Sequence, residues 1–168
     1  MNEPVILVDK QDNEVGVLDR TAAEAKADAI IRMVYILLFD ADGRLLLQRR
    51  RKDLPRYPNY WTVSCTGAVH PGEGYVQAAG RKLKEELGLS LDVQMARKDI
   101  LPLPGRASFM TALFVGKVAN LSDVHLDASR VHEVRWLDLD EARQGYLLTP
   151  TAEQVLVWWQ EHGKEFTK

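Results

Sequence analysis

The sequence predicts one domain of mixed α/β (α+β) class, in which helices cover a mixed β-sheet. Its 168 residues suit a single domain, and 46% of them are hydrophobic, which is enough for a substantial core. Short apolar runs of strand length alternate irregularly with helical segments. Turn-like residues join several of these runs, which favours hairpins within a mixed sheet over a purely parallel one.

The N-terminal 32 residues predict a hairpin followed by a short helix. Two apolar-rich runs, at 5–8 and 14–18, flank a polar turn and are expected to pair. Thr21 and Glu24 have the spacing of a capping box. We therefore expect Thr21 to cap a helix that continues to about Ala29.

The middle of the chain predicts further strands and one strong helix. Residues 33–39 are apolar at every position, as in a buried central strand, and the proline-containing segment 51–60 predicts a loop. The segment from Val76 to Leu87 has apolar residues at helical spacing, and Gly88 follows where a left-handed residue commonly ends a helix. Other strands are expected at 44–50, 61–65, 93–98, 108–118 and 131–137, and a last helix at 150–165.

Composition and charge argue against several classes of protein. The 22 basic and 24 acidic residues give a formal net charge of −2, whereas nucleic-acid and membrane-surface binders are usually basic. The single cysteine, Cys65, excludes a disulfide framework within the chain and a cysteine-based zinc site. The longest apolar run is too short to span a bilayer, and the first residues lack a signal-peptide pattern. We expect a cytoplasmic monomer or homodimer.

The segment 67–89, GAVHPGEGYVQAAGRKLKEELGL, carries the chemistry. A glycine-rich loop leads into the strong helix, and a helical wheel places its charged residues opposite the apolar stripe. Two adjacent carboxylates beside exposed backbone carbonyls can hold a hard divalent cation, which would neutralise phosphate oxygens and activate water. The same residues also fit a solvated helix face with ion pairs four residues apart. The helix alone therefore allows both interpretations.

The spacing in this segment resembles the Nudix box, G-x5-E-x7-R-E-U-x-E-E-x-G-U, where U is aliphatic. The resemblance covers most of the chain from about Met33 and implies a Nudix fold, with a mixed β-sheet sandwiched between helices and a loop-helix-loop catalytic motif. Residues 1–168 would form one domain, with 1–32 as an N-terminal extension. The resemblance further implies hydrolysis of a nucleoside diphosphate linked to another moiety, with Mg²⁺ or Mn²⁺ as cofactor. The positions in register are Gly67, Glu73, Arg81, Leu83, Glu85, Glu86, Gly88 and Leu89.

The resemblance also implies roles for single residues. Glu85 and Glu86 are expected to bind the metal and to be catalytic, and the Gly67 carbonyl is expected to be another ligand. Arg81 belongs to the same catalytic group, and with Glu73 it is expected to be structural. The arginine would hold glutamates in place through charge-assisted hydrogen bonds.

Lys82 departs from the family pattern, which has a glutamate there that serves in some members as general base or metal ligand. An ammonium group has no acceptor lone pair and can do neither. We expect Glu133, three residues before Trp136, to replace it as the third metal ligand or catalytic base. His132 would point to the opposite face of the same strand.

Basic residues at the end of a strand and in the loop before the box predict a phosphate-binding site, because arginine makes bidentate contacts with phosphate. They are Arg49, Arg50, Arg51, Lys52 and Arg56. A solvated basic loop is the alternative interpretation. Phe109, Tyr57 and Tyr146 are candidates for stacking on a base, although core or surface packing is the commoner role of such residues. The residues predicted to bind the nucleotide substrate are Arg49, Arg50, Lys52 and Lys82.

The N-terminal extension and the phrase YPNYWTVSCTGAVHPGE resemble the Nudix branch that includes isopentenyl-diphosphate isomerase. That enzyme has a catalytic cysteine where this chain has Thr66, and metal-binding histidines where it has Ala68 and Ile31. Strand alternation sends the neighbouring Cys65 to the other face, where it is expected to be buried. The sequence thus predicts a metal-dependent pyrophosphohydrolase of nucleoside 5′-di- or triphosphates. An isomerase-like enzyme and a non-catalytic nucleotide-binding regulatory module stay open as alternatives.

Overall fold

The computed structural model describes residues 2–166 and contains a nine-stranded mixed sheet with helices on both faces. The strands are β1 (Pro4–Val8), β2 (Glu14–Asp19), β3 (Ile30–Phe39), β4 (Leu45–Arg50), β5 (Trp61–Thr62), β6 (Cys65–Ala68), β7 (Gln94–Leu101), β8 (Ser108–Lys117) and β9 (Val131–Leu137). The α-helices are α1 (Arg20–Glu24), α2 (Tyr75–Leu87), α3 (Leu139–Gly145) and α4 (Pro150–His162). Short 3₁₀ turns follow β8 and α4.

Strand β3 organises the sheet, because its edges are shared among four other strands. The parallel strand β8 pairs with it along its whole length, from Ile30 to Phe39. The opposite edge is divided among β1, β6 and β4. Strand β4 pairs with β3 only at Phe39–Leu45 and then continues beside β5 and β9. The sheet therefore separates between β4 and β6, and the candidate site lies at this separation.

The alternating side chains of β3 enter two apolar cores, one on each face of the sheet. Met33, Tyr35 and Leu37 pack on the side covered by α1, α3 and α4. Val34 and Ile36 pack on the side covered by α2. Each fully buried Leu or Ile of this kind contributes about 1.5–3 kcal/mol to folding. The structure confirms the predicted mixed sheet between helices, with a strand that is apolar on both faces at its centre.

The first helix differs from the prediction. It begins after Asp19, whose carboxylate accepts a hydrogen bond from the Thr21 backbone N–H, so Asp19 is the N-cap and Thr21 is not. It ends at Glu24, well before Ala29. The backbone carbonyl of Ala29 instead accepts a hydrogen bond from Ser108, which starts the pairing of β3 with β8.

The predicted strand 61–65 is two strands, β5 and β6, that pair with different neighbours. Between them, Ser64 accepts a hydrogen bond from the Leu38 backbone N–H at 2.9 Å and donates one to the Leu46 carbonyl. This side chain therefore connects β3 and β4 where the ladder between them ends. Helix α3 was not predicted, and α4 ends at His162 rather than at residue 165. None of the helices in the described part of the chain has the length and apolar character needed to cross a membrane.

Candidate active site

Helix α2 turns a partly charged face toward the sheet. The wheel predicted Lys82 and Glu86 opposite the apolar stripe, but each is only 8% exposed, whereas Val76, predicted within the stripe, is 66% exposed. Residues four apart lie above one another on a helix, so Ala78, Lys82 and Glu86 form one line along α2. This line is next to the fully apolar line that contains Leu83, and both face the sheet. This part of the prediction was wrong. Two of the candidate site residues are held within the fold.

Arg81 connects α2 to the glycine-rich loop before it. Its Nε and Nη2 atoms donate to the two carboxylate oxygens of Glu73, each at 2.8 Å, and Nη2 also donates to the Ala68 carbonyl at 2.8 Å. Glu73 in turn accepts the backbone N–H of His70 at 2.8 Å. The Arg81 hydrogen bonds hold the pKa of the Glu73 carboxyl below its usual range. This bidentate pair fixes the loop relative to the helix.

The carboxylates of Glu85 and Glu86 converge on one positive charge. The Lys82 Nζ atom lies 3.5 Å from Glu85 Oε2 and 3.3 Å from Glu86 Oε1. The stem of Lys82 packs directly on Gly67, where a Cβ atom would lie 2.5 Å from both Cδ and Cε of the lysine. A glycine at position 67 is therefore what allows the lysine to reach the two carboxylates.

The second oxygen of Glu86 contacts hydrogen-bond donors from the sheet. Gln48 Nε2 donates to Glu86 Oε2 at 3.2 Å and to the Ser64 carbonyl at 3.1 Å. The Cys65 thiol donates to the same oxygen of Glu86 at 3.6 Å. Burial, together with the negative charge of Glu86, raises the pKa of this thiol well above its usual value. Cys65 is fully buried as predicted, and sequence reasoning missed Gln48, although it is a polar residue directly after three leucines.

The donor set fits one hard divalent cation. Within residues 2–166, no three His, Cys, Asp or Glu side chains are grouped so that they could hold a metal. Mg²⁺ needs fewer protein ligands than this, because it commonly keeps several waters and binds one or two carboxylates together with substrate phosphates. The position on which Glu85 and Glu86 converge already holds a positive charge, that of Lys82. These two residues would hold the ion, and the Gly67 carbonyl as a further ligand stays a prediction.

The structure does not bring Glu133 together with Glu85 and Glu86. Glu133 lies opposite Arg49 in the β4–β9 register and accepts its Nη1 at 3.0 Å, and Arg135 approaches its other oxygen at 3.3 Å. The next residue of the strand, Val134, packs on the α2 side, so alternation turns Glu133 away from α2. Glu133 and Arg49 are paired with each other, and we leave both out of the metal and substrate sites proposed below.

The other predicted phosphate-binding residues differ in their surroundings. Lys52 is exposed in the loop after β4. Arg50 is half-buried, and its Nε and Nη2 atoms donate to the Arg56 carbonyl at 3.2 and 3.1 Å. Burial and the nearby charge of Arg20 lower the pKa of Arg50 from its ordinary value. Among these residues, Arg50 alone lines a cavity on the α4 side of the sheet.

This cavity, which we call the arginine cavity, contains three charged residues that the sequence reasoning missed, Arg20, Glu24 and Arg106. Arg20 and Glu24 come from α1, whereas Arg56 and Arg106 come from two separate loops. No local motif joins these positions, and a charged face on a short predicted helix was the sole available signal. The lining residues are Arg20, Glu24, Met33, Tyr35, Arg50, Arg56, Tyr57, Thr62, Thr66, Leu103, Arg106, Phe109, Thr149, Pro150 and Thr151.

Comparison with known protein sequences identifies the family. The NUDIX domain model matches residues 30–159. Nudix hydrolase PA4841 of Pseudomonas aeruginosa, named as uncharacterized, is 36% identical over 151 residues, which cover 84% of each chain. Nudix hydrolase lin0387 of Listeria innocua, named likewise, is 37% identical over 105 residues, which are 62% of each chain. The isopentenyl-diphosphate Delta-isomerase of Pectobacterium atrosepticum is 28% identical over 162 residues, covering 93% of this chain and 87% of that enzyme.

Solved structures agree with the fold. DR0079 from Deinococcus radiodurans superposes with a TM-score of 0.77 at 23% identity, covering 93% of this chain and 98% of DR0079. An Ap4A hydrolase from C. elegans superposes with a TM-score of 0.61 at 21% identity, covering 80% of this chain and 99% of that one. At these identities the likeness concerns the fold, and it agrees with the sheet and helix arrangement described above.

Proposed function

The chain belongs to the Nudix family, and on that premise we propose that it is a Mg²⁺-dependent pyrophosphohydrolase of nucleoside 5′-di- or triphosphates. The observation that carries the proposal is the convergence of Glu85 and Glu86 on one cation position. The predicted Mn²⁺ is an alternative ion with similar oxygen preferences. Bound there, a divalent ion supplies charge neutralisation for phosphate oxygens and lowers the pKa of a bound water.

The chain's own residues prepare this site. Arg81 holds the loop through Glu73, and its Nη1 also lies 3.4 Å from both carboxylate oxygens of Glu85. Gln48 orients Glu86 through one oxygen and leaves the other directed at the cation position. Positioned groups of this kind favour catalysis, since they are aligned before the substrate binds.

The isomerase alternative receives less support from the geometry. Thr66 lines the arginine cavity at the position of the isomerase cysteine. The Cys65 thiol lies on the other face of β6, fully buried, and contacts Glu86 instead. The thiolate needed for cysteine chemistry is disfavoured there, because burial and Glu86 raise the thiol pKa. The alternative of a non-catalytic nucleotide-binding module depends on Lys82, which stands where the family pattern has a glutamate. The activity assay described next tests it.

The test is product analysis with the purified chain. Nucleoside di- and triphosphates, nucleotide diphosphate derivatives and isopentenyl diphosphate are each incubated with Mg²⁺, with Mn²⁺ or with EDTA, and products are separated by ion-exchange chromatography. We expect metal-dependent release of phosphate or nucleoside monophosphate, absent from the Glu86→Gln variant. Formation of the allylic diphosphate would support the isomerase instead. Tight nucleotide binding without any product would support the regulatory module.

A further inference from the structure

We propose that the arginine cavity binds the free terminal phosphate of the substrate. The protein would then prefer nucleotides with an unesterified terminal phosphate over diphosphates esterified at both ends. This inference rests on the proposed function, because it names the substrate class of the same site. It is argued from the charge of the cavity, its size and its position beside the carboxylate pair.

The charge of the cavity calls for an anion. Glu24 Oε1 lies 3.1 Å from Arg20 Nε and 3.4 Å from Arg106 Nη2, and Arg56 pairs with the other oxygen of Glu24. Arg50 is the fourth arginine of the lining. Arg20 also pairs with Glu3 Oε1 at 3.1 Å, outside the lining, so two carboxylates balance four guanidinium groups and an excess of positive charge remains. Like charges held close together repel, and although Arg20, Arg56 and Arg106 are partly exposed, an opposite charge that joins them relieves this repulsion. A terminal phosphate supplies about two negative charges near neutral pH and matches the planar donor array of arginine.

The size of the cavity selects a small group. Its volume is about 70 Å³, several times the roughly 10–15 Å³ that one water molecule needs on the same measure. Pockets that enclose a whole drug-sized ligand are usually larger than about 300 Å³. One tetrahedral oxyanion is of the order of the space available, whereas a nucleoside is not. Thr62, Thr66 and Thr149 also line the cavity, and a threonine hydroxyl can donate a neutral hydrogen bond.

The position of the cavity relates it to the carboxylate pair. Thr66 lines the cavity and immediately precedes Gly67, on which the stem of Lys82 packs. Thr62 also lines it and is the cross-strand partner of Gln48, which donates to Glu86. A phosphate held here by its free end would direct the adjoining phosphoanhydride toward Glu85 and Glu86. A diphosphate esterified at both ends has no free terminal group to place in the cavity.

One arginine of the cavity provides a sharp probe. The Arg106 guanidinium lies over the Phe109 ring, 5.7 Å from its centre, and its Nε is buried with no hydrogen-bond partner in the described chain. Arg143 has a buried Nε without such a partner too, but it does not line the cavity and pairs with Glu153 at 3.2 Å. Arg143→Gln is therefore a matched control for Arg106→Gln, because both changes remove a half-buried guanidinium.

The first experiment measures binding without catalysis. Inorganic triphosphate is titrated calorimetrically into the wild type and the two variants in EDTA, and thermal melts establish that each variant is folded. We expect binding to the wild type and to Arg143→Gln, and an affinity about tenfold or more weaker for Arg106→Gln, the effect of losing one charge-assisted hydrogen bond. If Arg106→Gln does not fold, Arg56→Gln takes its place. Equal affinity in the folded cavity variant and the wild type overturns the proposal.

The second experiment measures substrate preference. ADP and ADP-ribose share one nucleotide and differ in whether the terminal phosphate is esterified. We expect kcat/KM for ADP to exceed that for ADP-ribose by about tenfold or more, and Arg106→Gln to reduce this ratio by raising KM for ADP. A wild-type preference for ADP-ribose would overturn the inference and move the preferred substrate to nucleotide diphosphate derivatives, while metal-dependent pyrophosphohydrolase activity itself would still be supported. If no nucleotide is hydrolysed, the proposed function fails and the triphosphate titration alone decides the inference.

Discussion

Reversing the charge of Lys82 tests the proposed cation position directly. Lys82 Nζ lies 3.3 Å from Glu86 Oε1 and 3.5 Å from Glu85 Oε2. A unit charge pair at 3.3 Å interacts by about 1 kcal/mol at the dielectric constant of water and by about 5 kcal/mol at an effective value of 20. Lys82 is buried, so the smaller figure is a lower bound. The substitution removes this attraction and adds a repulsion of similar size, a change of at least about 2 kcal/mol. Because each 1.4 kcal/mol corresponds to about tenfold in affinity, we expect Lys82→Glu to tighten Mg²⁺ binding at least about tenfold.

The assay for Lys82→Glu is a thermal melt at increasing Mg²⁺ concentration, which needs no turnover. Without metal, the variant should melt at a lower temperature than the wild type, because three carboxylates then face one another. Mg²⁺ should raise the melting temperature of the variant at a lower concentration than is needed to raise that of the wild type. Lys84→Glu makes the same charge change at an exposed position of α2 and should leave the Mg²⁺ midpoint unchanged. An unaltered midpoint in Lys82→Glu, together with a sharp rise in KM, would refute the reasoning and assign Lys82 to the substrate phosphates.

Three further predictions follow from the same contacts. Glu86→Gln should remove most turnover in a protein that still folds, and its melting temperature should fall, because the amide keeps the volume but loses the charge that pairs with Lys82; full activity in this variant would contradict the metal assignment. Cys65→Ala should retain activity, and the wild-type thiol should resist alkylation at pH 8, because burial and Glu86 raise its pKa; rapid alkylation of the folded protein would argue otherwise. Arg81 lowers the pKa of Glu73, so this pair adds stability that is present above the ordinary glutamate pKa of about 4.3 and is lost as the pH falls through the folded value. The free energy of unfolding should therefore fall more steeply below about pH 4.5 for the wild type than for Glu73→Gln. Parallel curves for the two proteins would show that the Arg81–Glu73 pair makes no such contribution.

The elements with strong periodicity could be predicted from the sequence. Strand β3 was recognised because a run that is apolar at every position fits a strand covered on both faces, and α2 because its apolar spacing ends at Gly88. The helical wheel of α2 predicted the wrong exposure for Lys82 and Glu86, because it uses only the polarity of each residue and contains no information on contacts with other strands. Other strands stabilise both buried side chains: the stem of Lys82 packs on Gly67, and the Glu86 carboxylate accepts a hydrogen bond from Gln48.

The arginine cavity could not be predicted, because its charged residues come from parts of the chain that meet only in the folded sheet. Glu24 and Arg106 are more than eighty positions apart and form an ion pair at 3.4 Å. Glu133 shows the opposite error. Its distance from Trp136 suggested a third ligand, but the pairing of β9 with β4 turns it toward Arg49. Which face a strand residue occupies depends on register, and register depends on the partner strand.

The attachment of the N-terminal hairpin connects occupancy of the cavity with local opening of the chain. Strand β1 meets β3 at a single register pair, Leu7 with Ile31, while α1 at the end of the hairpin carries Arg20 and Glu24 into the cavity. The hairpin is also held by ion pairs of Asp12 with Arg32 and Lys98 and by the buried side chains of Val5 and Ile6, so a local opening must break these contacts as well. An anion bound by Arg20 together with Arg106 must be released before α1 can leave. Binding of an anion in the cavity would therefore increase the protection of the amide protons of residues 4–24 against hydrogen exchange.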